Sequence, residues 1–303
     1  MSAVVAETVA TDGFVARVAD LTEVRATDPG RVRRLLASRR RRPLLHADGR
    51  LMIIACDHPA RGSLGAGGDP YAMASRTDLL DRLVTALGHP GVDGVLATAD
   101  IVEDLLLLGA LEGKVVLASM NRGGLQGSVF EMDDRLTGYD VAGVIEGRLD
   151  GGKMLVRINL DDPGTVATLE LTGRAVSELS RAERVAMVEP FTSVRRDGRI
   201  VNDLSPEGVI RSVHIAAGLG ASSAYTWLKL PVVPEMAWVM DATTLPTLLL
   251  GGDPEGEPEE TYAAWREALA LPSVRGLVVG RTMLYPADDD VAQAVDTAVS
   301  LVR

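Results

Sequence analysis

The chain alternates between short apolar runs and longer stretches in which apolar residues recur at three- and four-residue spacing. Runs rich in Val, Ile and Leu are typical of buried strands, and the wider spacing is typical of amphipathic helices. The eight apolar runs occupy residues 51–57, 94–100, 114–120, 153–160, 184–191, 224–232, 245–252 and 275–281. The clearest helical stretches occupy residues 76–89, 137–152, 165–182 and 258–272. Eight strands that alternate with helices predict an α/β fold, a single (β/α)8 TIM barrel.

We expect this barrel to fill residues 46–303, preceded by an N-terminal extension and one extra helix in residues 1–45 that pack on it. The sequence TDPGRVRRLLASRRRRP predicts the helix, with Thr27 or Asp28 as its N-cap and Pro29 in its first turn. We expect residues 1 to about 25 to form a loosely held extension.

The extra helix ends in four consecutive arginines at positions 39–42. One interpretation is a polyanion-binding patch or a subunit contact. The other is a solvated helix whose C-terminal cations suit the helix dipole. The acidic character of the whole chain favours the second interpretation.

Composition narrows the classes of function. The 303 residues carry a net charge of −11, which should repel nucleic acid, so any phosphate would have to be held in a local pocket. Cys56 is the only cysteine, which excludes an intramolecular disulfide and a multi-cysteine metal site. The sequence contains neither a signal peptide nor an apolar stretch of membrane-spanning length, so we expect a cytoplasmic protein without a membrane partner.

Charged residues stand at the predicted strand ends, where the active sites of such barrels lie. Only three of the 31 basic residues are lysine, and two of those, Lys153 and Lys229, belong to predicted strands. Side chains alternate between the two faces of a strand, so Lys153 and Arg157 share a face, and Lys229 shares one with Trp227. A charge beneath the outer helices would be costly to bury. We therefore expect these side chains and Glu189 to converge inside the barrel.

Lys229 is the residue best suited to act as an amine nucleophile. Lysine can lose its proton, whereas arginine cannot. The apolar neighbours Trp227, Leu228, Leu230 and Pro231 should disfavour the ammonium and lower the pKa of Lys229, and Lys153 should act in the same direction. The alternative is a structural lysine paired with a carboxylate.

The last two predicted strands carry a possible phosphate site. Gly251, Gly252 and Gly280 stand where a backbone can approach a ligand closely, and Arg281 can add a bidentate contact. A glycine pair after a strand is also compatible with a plain tight turn. Two such positions in consecutive strands, together with the arginine, favour phosphate binding.

The four histidines show no spacing typical of metal ligands, so no metal site is predicted. His58 follows Asp57 at the end of the first strand and is either a substrate contact or a residue that supports the site. The segment SMNRGGLQG, which contains Asn121 and Arg122, is predicted to be a loop over the mouth of the site. Its role is open.

Six motifs, in order and spacing, resemble the class I (Schiff-base) aldolases of the tagatose-1,6-bisphosphate, sulfofructose-phosphate and fructose-bisphosphate aldolase group. They are ACDHPARGSL, GGKMLVRINLDD, MVEPFT, TWLKLPVV, LLLGGD and GLVVGRTM. The resemblance covers roughly residues 45 to 303. The chain is most similar to an actinobacterial subgroup of barrel proteins, often described as deoxyribose-phosphate aldolases and linked to inositol breakdown.

The resemblance implies a metal-independent aldolase that needs no cofactor, acts on a small sugar phosphate and forms a homo-oligomer. It implies that Lys229 forms the imine, that Glu189 is the general acid/base and that Lys153 is an orienting cation. Asp57 would bind substrate hydroxyls or assist proton transfer. His58 and Arg157 would contact substrate, and the phosphate would be held at Gly251, Gly252, Gly280 and Arg281.

The same resemblance suggests 6-phospho-5-dehydro-2-deoxygluconate as the substrate, cleaved to dihydroxyacetone phosphate and malonate semialdehyde. The sequence departs from tagatose-type enzymes where it reads DHPARGSL, since those have Gln after the Asp, and where strand four reads VRIN in place of a tyrosine-rich run. These departures lie at the substrate mouth and therefore concern the identity of the sugar. Two rivals are a deoxyribose-phosphate-type aldolase and a non-catalytic barrel that senses a sugar phosphate.

Overall fold

The computed structural model describes residues 13–121, 124–251 and 258–303, and it confirms the closed (β/α)8 barrel. The eight barrel strands are all parallel. They are β1 Leu51–Cys56, β2 Gly94–Ala97, β3 Val115–Ser119, β4 Gly151–Ile158, β5 Val185–Arg196, β7 Thr226–Leu230, β8 Thr247–Leu250 and β9 Val274–Val279. Their order is β4-β3-β2-β1-β9-β8-β7-β5, and pairing of β4 with β5 closes the ring.

Helices cover the outside of the barrel, and two more precede it. The barrel helices are α3 Arg76–Gly88, α4 Ala99–Leu107, α5 Val141–Glu146, α6 Gly164–Arg181, α7 Pro206–Ala217, α8 Met236–Asp241, α9 Pro258–Leu269, α10 Arg281–Leu284 and α11 Val291–Val302. The preceding pair is α1 Leu21–Thr27 and α2 Gly30–Ser38. None of these helices is long and apolar enough to cross a membrane.

The side chains of the strands separate into two apolar layers. Residues such as Met52, Ile54 and Val116 point outward and pack beneath the helices. Their neighbours along the strands, such as Ile53 and Leu117, form a separate cluster inside the barrel. This inner apolar cluster fills the lower part of the lumen, and the polar groups inside the barrel lie above it.

One additional strand was not predicted. β5 continues beyond the barrel and turns back as β6, Arg199–Asn202, which pairs with it antiparallel. The turn is formed by Asp197 and Gly198, both with positive φ. An Asp-Gly pair is a strong hairpin signal, so the sequence contained the information for this element. The hairpin stands above the C-terminal face of the barrel.

The predicted capping of the extra helix is wrong. α2 has Pro29 at its N-cap position, and no side chain caps it. Thr27 instead ends α1, where its hydroxyl donates to the Glu23 carbonyl. The Asp28 carboxylate lies between the two helices and accepts from Arg31 and Arg34. α2 lies within the predicted helix, whereas α1 is an additional helix that begins in the segment expected to be a loosely held extension, and Pro29 separates the two.

The arginine run after α2 is not a solvated helix end. Arg41 pairs with Asp150 at 2.7 Å and Arg42 with Asp93 at 2.5 Å. Arg39 is buried and donates to the carbonyls of Lys114 and Arg148. Asp93 and Asp150 directly precede β2 and β4, so the run closes the N-terminal end of the barrel, opposite the predicted site.

Candidate active site

Four charged side chains meet above the apolar floor of the lumen. Lys153 comes from β4, Glu189 from β5 and Lys229 from β7, while Asp57 follows β1. Lys229 Nζ lies 2.9 Å from Glu189 Oε1, and Lys153 Nζ lies 2.5 Å from Glu189 Oε2. Lys153 Nζ also donates to Asp57 Oδ2 at 2.9 Å. The convergence predicted from strand alternation is therefore present.

All four groups are buried, which makes their charges strongly interdependent. Lys153 is 2% exposed, Lys229 4%, Glu189 6% and Asp57 8%. Two ammonium groups and two carboxylates can balance one another, and each carboxylate contacts at least one ammonium. Burial of unpaired charges would cost several kcal/mol. Each charged group of the cluster therefore depends on the others to offset the free-energy cost of its burial.

The pKa of Lys229 is lowered, as expected for an amine nucleophile. Burial is the largest cause, the carboxylate of Glu189 opposes it, and the charge of Lys153 lowers the pKa further. The pKa of Lys153 is raised, since its two carboxylate neighbours, Asp57 and then Glu189, outweigh the effect of burial. The two lysines therefore have different tendencies to lose a proton.

The carboxylates are held in their ionised forms. Burial raises the pKa of Glu189, but the ammonium groups of Lys153 and Lys229 lower it to about 2. The same two lysines hold the pKa of Asp57 well below its ordinary value against the effect of burial. Glu189 is therefore a proton acceptor in the free protein and can act as a base.

Side-chain hydrogen bonds hold the segment after β3 beside β4, where the ladder between the two strands ends. The Asn121 side chain donates to the Leu155 carbonyl at 2.8 Å and accepts from the Leu155 amide at 2.9 Å. The Ser119 hydroxyl donates to the Asn121 carbonyl at 2.9 Å and lies 3.3 Å from Asp57 Oδ2. Asn121 thus anchors the start of the loop whose role the sequence left open. Arg122 lies outside the described residues.

A cavity of about 400 Å³ opens above the cluster. Its floor includes Lys229 and Glu189, and the volume suits a small phosphorylated metabolite. Its remaining walls are of two kinds. Groups from β8, β9 and α9 line one side, together with β1 and the segment after it, which lie beside β9, and groups from β4, β5 and the hairpin line the other.

The predicted phosphate corner lies on the first side. Gly251, Gly280 and Arg281 line the cavity, whereas Gly252 lies outside the described residues. A Cβ at Gly280 would come within 2.3 Å of the Ala55 carbonyl oxygen. The protein's own packing therefore requires glycine there, so this glycine is not by itself an indication of a ligand. Arg281 also borders a second hollow, formed by the glycine-rich segment 62–70.

His58 lines the cavity as a neutral imidazole. Burial lowers its pKa well below the ordinary value, and the charge of Arg61 adds to this effect. Its Nδ1 lies 3.8 Å from Asp57 Oδ1 and makes no hydrogen bond within the described residues. The side chain is therefore placed to contact a bound molecule.

Arg157 lines the cavity but has a carboxylate partner. Its Nη1 lies 3.1 Å from Glu131 Oε1, in the segment that follows β3. The second oxygen of Glu131 accepts from the Gly127 amide at 3.0 Å. The pair attaches this segment to the barrel, so Arg157 has a structural contact in addition to the substrate contact predicted for it.

Sequence reasoning missed several residues of the cavity, above all Arg61, Asn202 and Leu204. Arg61 ends a short turn after β1, within the quoted motif DHPARGSL. Asn202 ends β6 and Leu204 follows it. Because the hairpin was not predicted, neither residue was expected at the cavity. Within the described chain, no group of three or more His, Cys, Asp or Glu side chains is placed to hold a metal ion.

Comparison with known proteins agrees with the geometry at the level of family and fold. The model of a family described as Cgl0159-like matches residues 49–299. The crystal structure of Cgl0159 from Corynebacterium glutamicum is 57% identical, with a TM-score of 0.91, and the match covers 94% of this chain and 96% of that one. No curated protein matches the chain.

Two solved aldolases share the fold at low identity. A Schiff-base-forming fructose-1,6-bisphosphate aldolase is 19% identical with a TM-score of 0.62, over 90% of this chain and 100% of that one. An archaeal fructose-1,6-bisphosphate aldolase, solved with its catalytic Lys bound to a carbinolamine intermediate, is 17% identical with a TM-score of 0.63. That match covers 89% of this chain and 99% of the other. At these identities the likeness establishes the fold alone.

Proposed function

The chain belongs to the Cgl0159-like family, and from this premise we propose that it is a class I aldolase. It would cleave a carbon–carbon bond of a phosphorylated ketose or keto-sugar acid through a Schiff base on Lys229. The observation that carries the proposal is the buried Lys229 amine, 2.9 Å from an ionised Glu189 at the floor of the cavity. Fold neighbours that are Schiff-base aldolases add support.

The reaction begins when the neutral Lys229 amine adds to the substrate ketone. Uptake of one proton from solvent lets the carbinolamine hydroxyl leave as water and gives a protonated imine, whose nitrogen can accept an electron pair. Glu189 then removes the proton of the hydroxyl on the carbon beyond the bond to be broken. That carbon becomes the carbonyl of the aldehyde product, and the electrons of the broken bond form an enamine on Lys229.

The second half of the reaction releases the donor fragment. A proton returned to the enamine carbon restores the imine, and water then hydrolyses it to the ketone and the free amine. In this scheme Lys153 stays protonated, orients Glu189 and favours the neutral amine of Lys229 over its ammonium form before the ketone binds. Asp57 binds substrate hydroxyls or assists proton transfer, and His58 contacts the substrate.

We further propose that the phosphate of the substrate lies against Gly251, Gly280 and Arg281, which would hold the ketone near the amine. The motif resemblance favours 6-phospho-5-dehydro-2-deoxygluconate, which would give dihydroxyacetone phosphate and malonate semialdehyde. Cleavage of this compound would release one dihydroxyacetone phosphate per molecule consumed.

The test is a cleavage assay on the purified protein, in which released dihydroxyacetone phosphate is reduced and the oxidation of NADH is followed. We expect release that is unchanged by a chelator and absent without the protein. In a parallel assay, release of acetaldehyde from deoxyribose 5-phosphate, with no release of dihydroxyacetone phosphate from the first substrate, would identify the deoxyribose-type reaction. Tight binding of ketose phosphates without any cleavage would contradict the proposal and favour the sensor.

A further inference from the structure

His58 combines a fixed backbone with an imidazole that the rest of the described chain does not use. Its carbonyl accepts from the amides of Arg61 and Ser63, which holds the residue just after β1. The side chain lines the cavity, is only 14% exposed and makes no hydrogen bond with the described residues. Because polar groups with so little exposure normally have a hydrogen-bond partner, the imidazole is available to a bound molecule.

The two ring nitrogens of His58 have different surroundings. Nδ1 is enclosed and lies 3.8 Å from Asp57 Oδ1, and a carboxylate on that side favours the tautomer with its proton on Nδ1. Nε2 is not enclosed, so it is the nitrogen that the cavity can reach. In this tautomer Nε2 has a free lone pair and can accept a proton.

The imidazole stands beside the proposed phosphate corner. A Cβ at Gly280 would lie 3.4 Å from His58 Cε1, so the ring packs against the end of β9. In the proposed reaction, the donor fragment stays attached to Lys229 after the aldehyde has left, with its phosphate against Gly280 and Arg281. His58 therefore lies on the side of the fragment that must still take up a proton.

Glu189 reaches the cavity from the opposite side. In the ring of eight strands, β5 lies across from β1, so Glu189 and His58 approach an imine on Lys229 from opposite directions. Both oxygens of Glu189 are held by ammonium groups, at 2.9 Å from Lys229 and 2.5 Å from Lys153. In the proposed scheme Glu189 takes the hydroxyl proton, and protonation of the enamine carbon is a separate, later step.

Few other groups of the cavity could perform that step. Among the described side chains that line it, only His58, Glu189 and Lys229 can exchange a proton near neutral pH. The nitrogen of Lys229 is part of the enamine itself. The three lining arginines, Arg61, Arg157 and Arg281, do not lose their protons.

We propose that His58 is a catalytic acid/base, separate from Glu189, whose Nε2 exchanges the proton of the enamine carbon. In the cleavage direction, the imidazole takes a proton from solvent and donates it from Nε2 to that carbon. The π electrons of the enamine form the new C–H bond, and the Lys229 nitrogen becomes a protonated imine. In the reverse direction, neutral Nε2 removes the same proton. The inference rests on the proposed Schiff base.

Dihydroxyacetone phosphate alone tests this step, because its protonated imine can exchange a proton of the adjacent hydroxymethyl carbon with solvent when no aldehyde is present. The full-length protein is incubated with it in heavy water, and deuterium on that carbon is measured by NMR. We expect His58→Gln to slow the exchange by about 100-fold or more, as loss of a general acid/base does. Borohydride trapping on Lys229 should persist.

Two further variants separate a chemical role from a structural one. His58→Ala leaves room for a small molecule, so added free imidazole should restore part of the exchange. His214→Gln is the matched control, because His214 lies exposed on α7 and does not line the cavity. Its exchange should equal that of the wild-type protein, with or without imidazole.

Exchange at the wild-type rate in His58→Gln, with normal trapping, would overturn the inference. Loss of both trapping and exchange in His58→Gln and His58→Ala, without recovery in imidazole, would also overturn it, because His58 would then only support the structure of the site. Absence of trapping in the wild-type protein would instead contradict the Schiff base itself. The two failures are therefore distinguishable.

Discussion

Lys229 and Lys153 contact the two oxygens of the same carboxylate, yet their pKa values shift in opposite directions. Burial lowers both pKa values, but Lys153 has two carboxylate partners and Lys229 has one. The proposed reaction needs one neutral amine, and this asymmetry supports the proposal that Lys229 is the nucleophile and Lys153 the cation. Sequence alternation predicted that the two would meet, but not how the carboxylates would be shared.

Removal of Lys153 should make Lys229 harder to deprotonate. Its charge lowers the pKa of Lys229, so in Lys153→Met the neutral amine should form only at higher pH. The rate of imine trapping with borohydride, measured against pH, should shift upward. Lys114→Met is the control, since Lys114 donates to the Val92 carbonyl at the other end of the barrel. An unchanged pH profile for Lys153→Met would show that Lys153 does not tune the amine.

Glu189→Gln separates imine formation from bond cleavage. The amide keeps the shape of the carboxylate but cannot take the hydroxyl proton, so we expect kcat for cleavage to fall by about 100-fold or more. Trapping should persist, with its midpoint at lower pH, because Glu189 raises the pKa of Lys229. Normal cleavage combined with loss of trapping would contradict the role of Glu189 as the base.

At the scale of elements, one end of the barrel carries the candidate active site and the other carries a network of buried ion pairs. The C-terminal strand ends carry the lysines and the cavity, while Asp93 and Asp150 at the N-terminal ends bind the arginines that follow α2. Asp93 is 1% exposed, contacts Arg42 and Arg303, and accepts from the Met52 amide at 2.7 Å. The arginine run therefore links the preceding helices to the bottom of the barrel.

Asp93→Asn should destabilise the fold without altering the site. It leaves the largely buried Arg42, whose side chain is 11% exposed, and Arg303 without their charged partner, and we expect the free energy of unfolding to fall by about 3 kcal/mol. Glu112→Gln removes the partner of Arg40, whose side chain is 80% exposed, and should cost about 1 kcal/mol or less. Urea denaturation measures both. Equal effects would show that the buried pair contributes no more than the exposed one.

At the scale of the whole molecule, regular elements were predictable and irregular connections were not. The eight strands follow from apolar runs that only a buried sheet can accommodate, and α6 and α9 follow from their spacing. The hairpin was missed because its strands, SVRR and RIVN, carry three arginines and are mostly exposed, so they lack the apolar run of a barrel strand. Arg61 and Glu131 were missed because their positions depend on loops, whose paths no periodicity describes.

The molecule combines an acidic surface with a cationic cavity. The net charge of −11 disfavours nucleic acid as a partner, yet Arg61, Arg157 and Arg281 all line the cavity. A local pocket of this kind was expected for a phosphorylated ligand. The net charge of the chain therefore bears on macromolecular partners. The positive charge of the cavity bears on the proposed substrate.

Self-association stays a prediction at this scale. We expect a homo-oligomer, so light scattering coupled to size exclusion should give a mass that is a multiple of 32.1 kDa. A dilution series should show whether the assembly persists at low protein concentration. A monomer at every concentration would contradict the prediction.

The central claim is the Schiff base on Lys229, and borohydride trapping tests it most directly. The protein is incubated with dihydroxyacetone phosphate in the absence of metal, reduced, digested and analysed by peptide mass spectrometry. We predict an adduct on the peptide that contains Lys229, and neither adduct nor turnover in Lys229→Arg, which keeps the charge but has no amine nucleophile. An adduct on another lysine, or an active Lys229→Arg enzyme, would contradict the account.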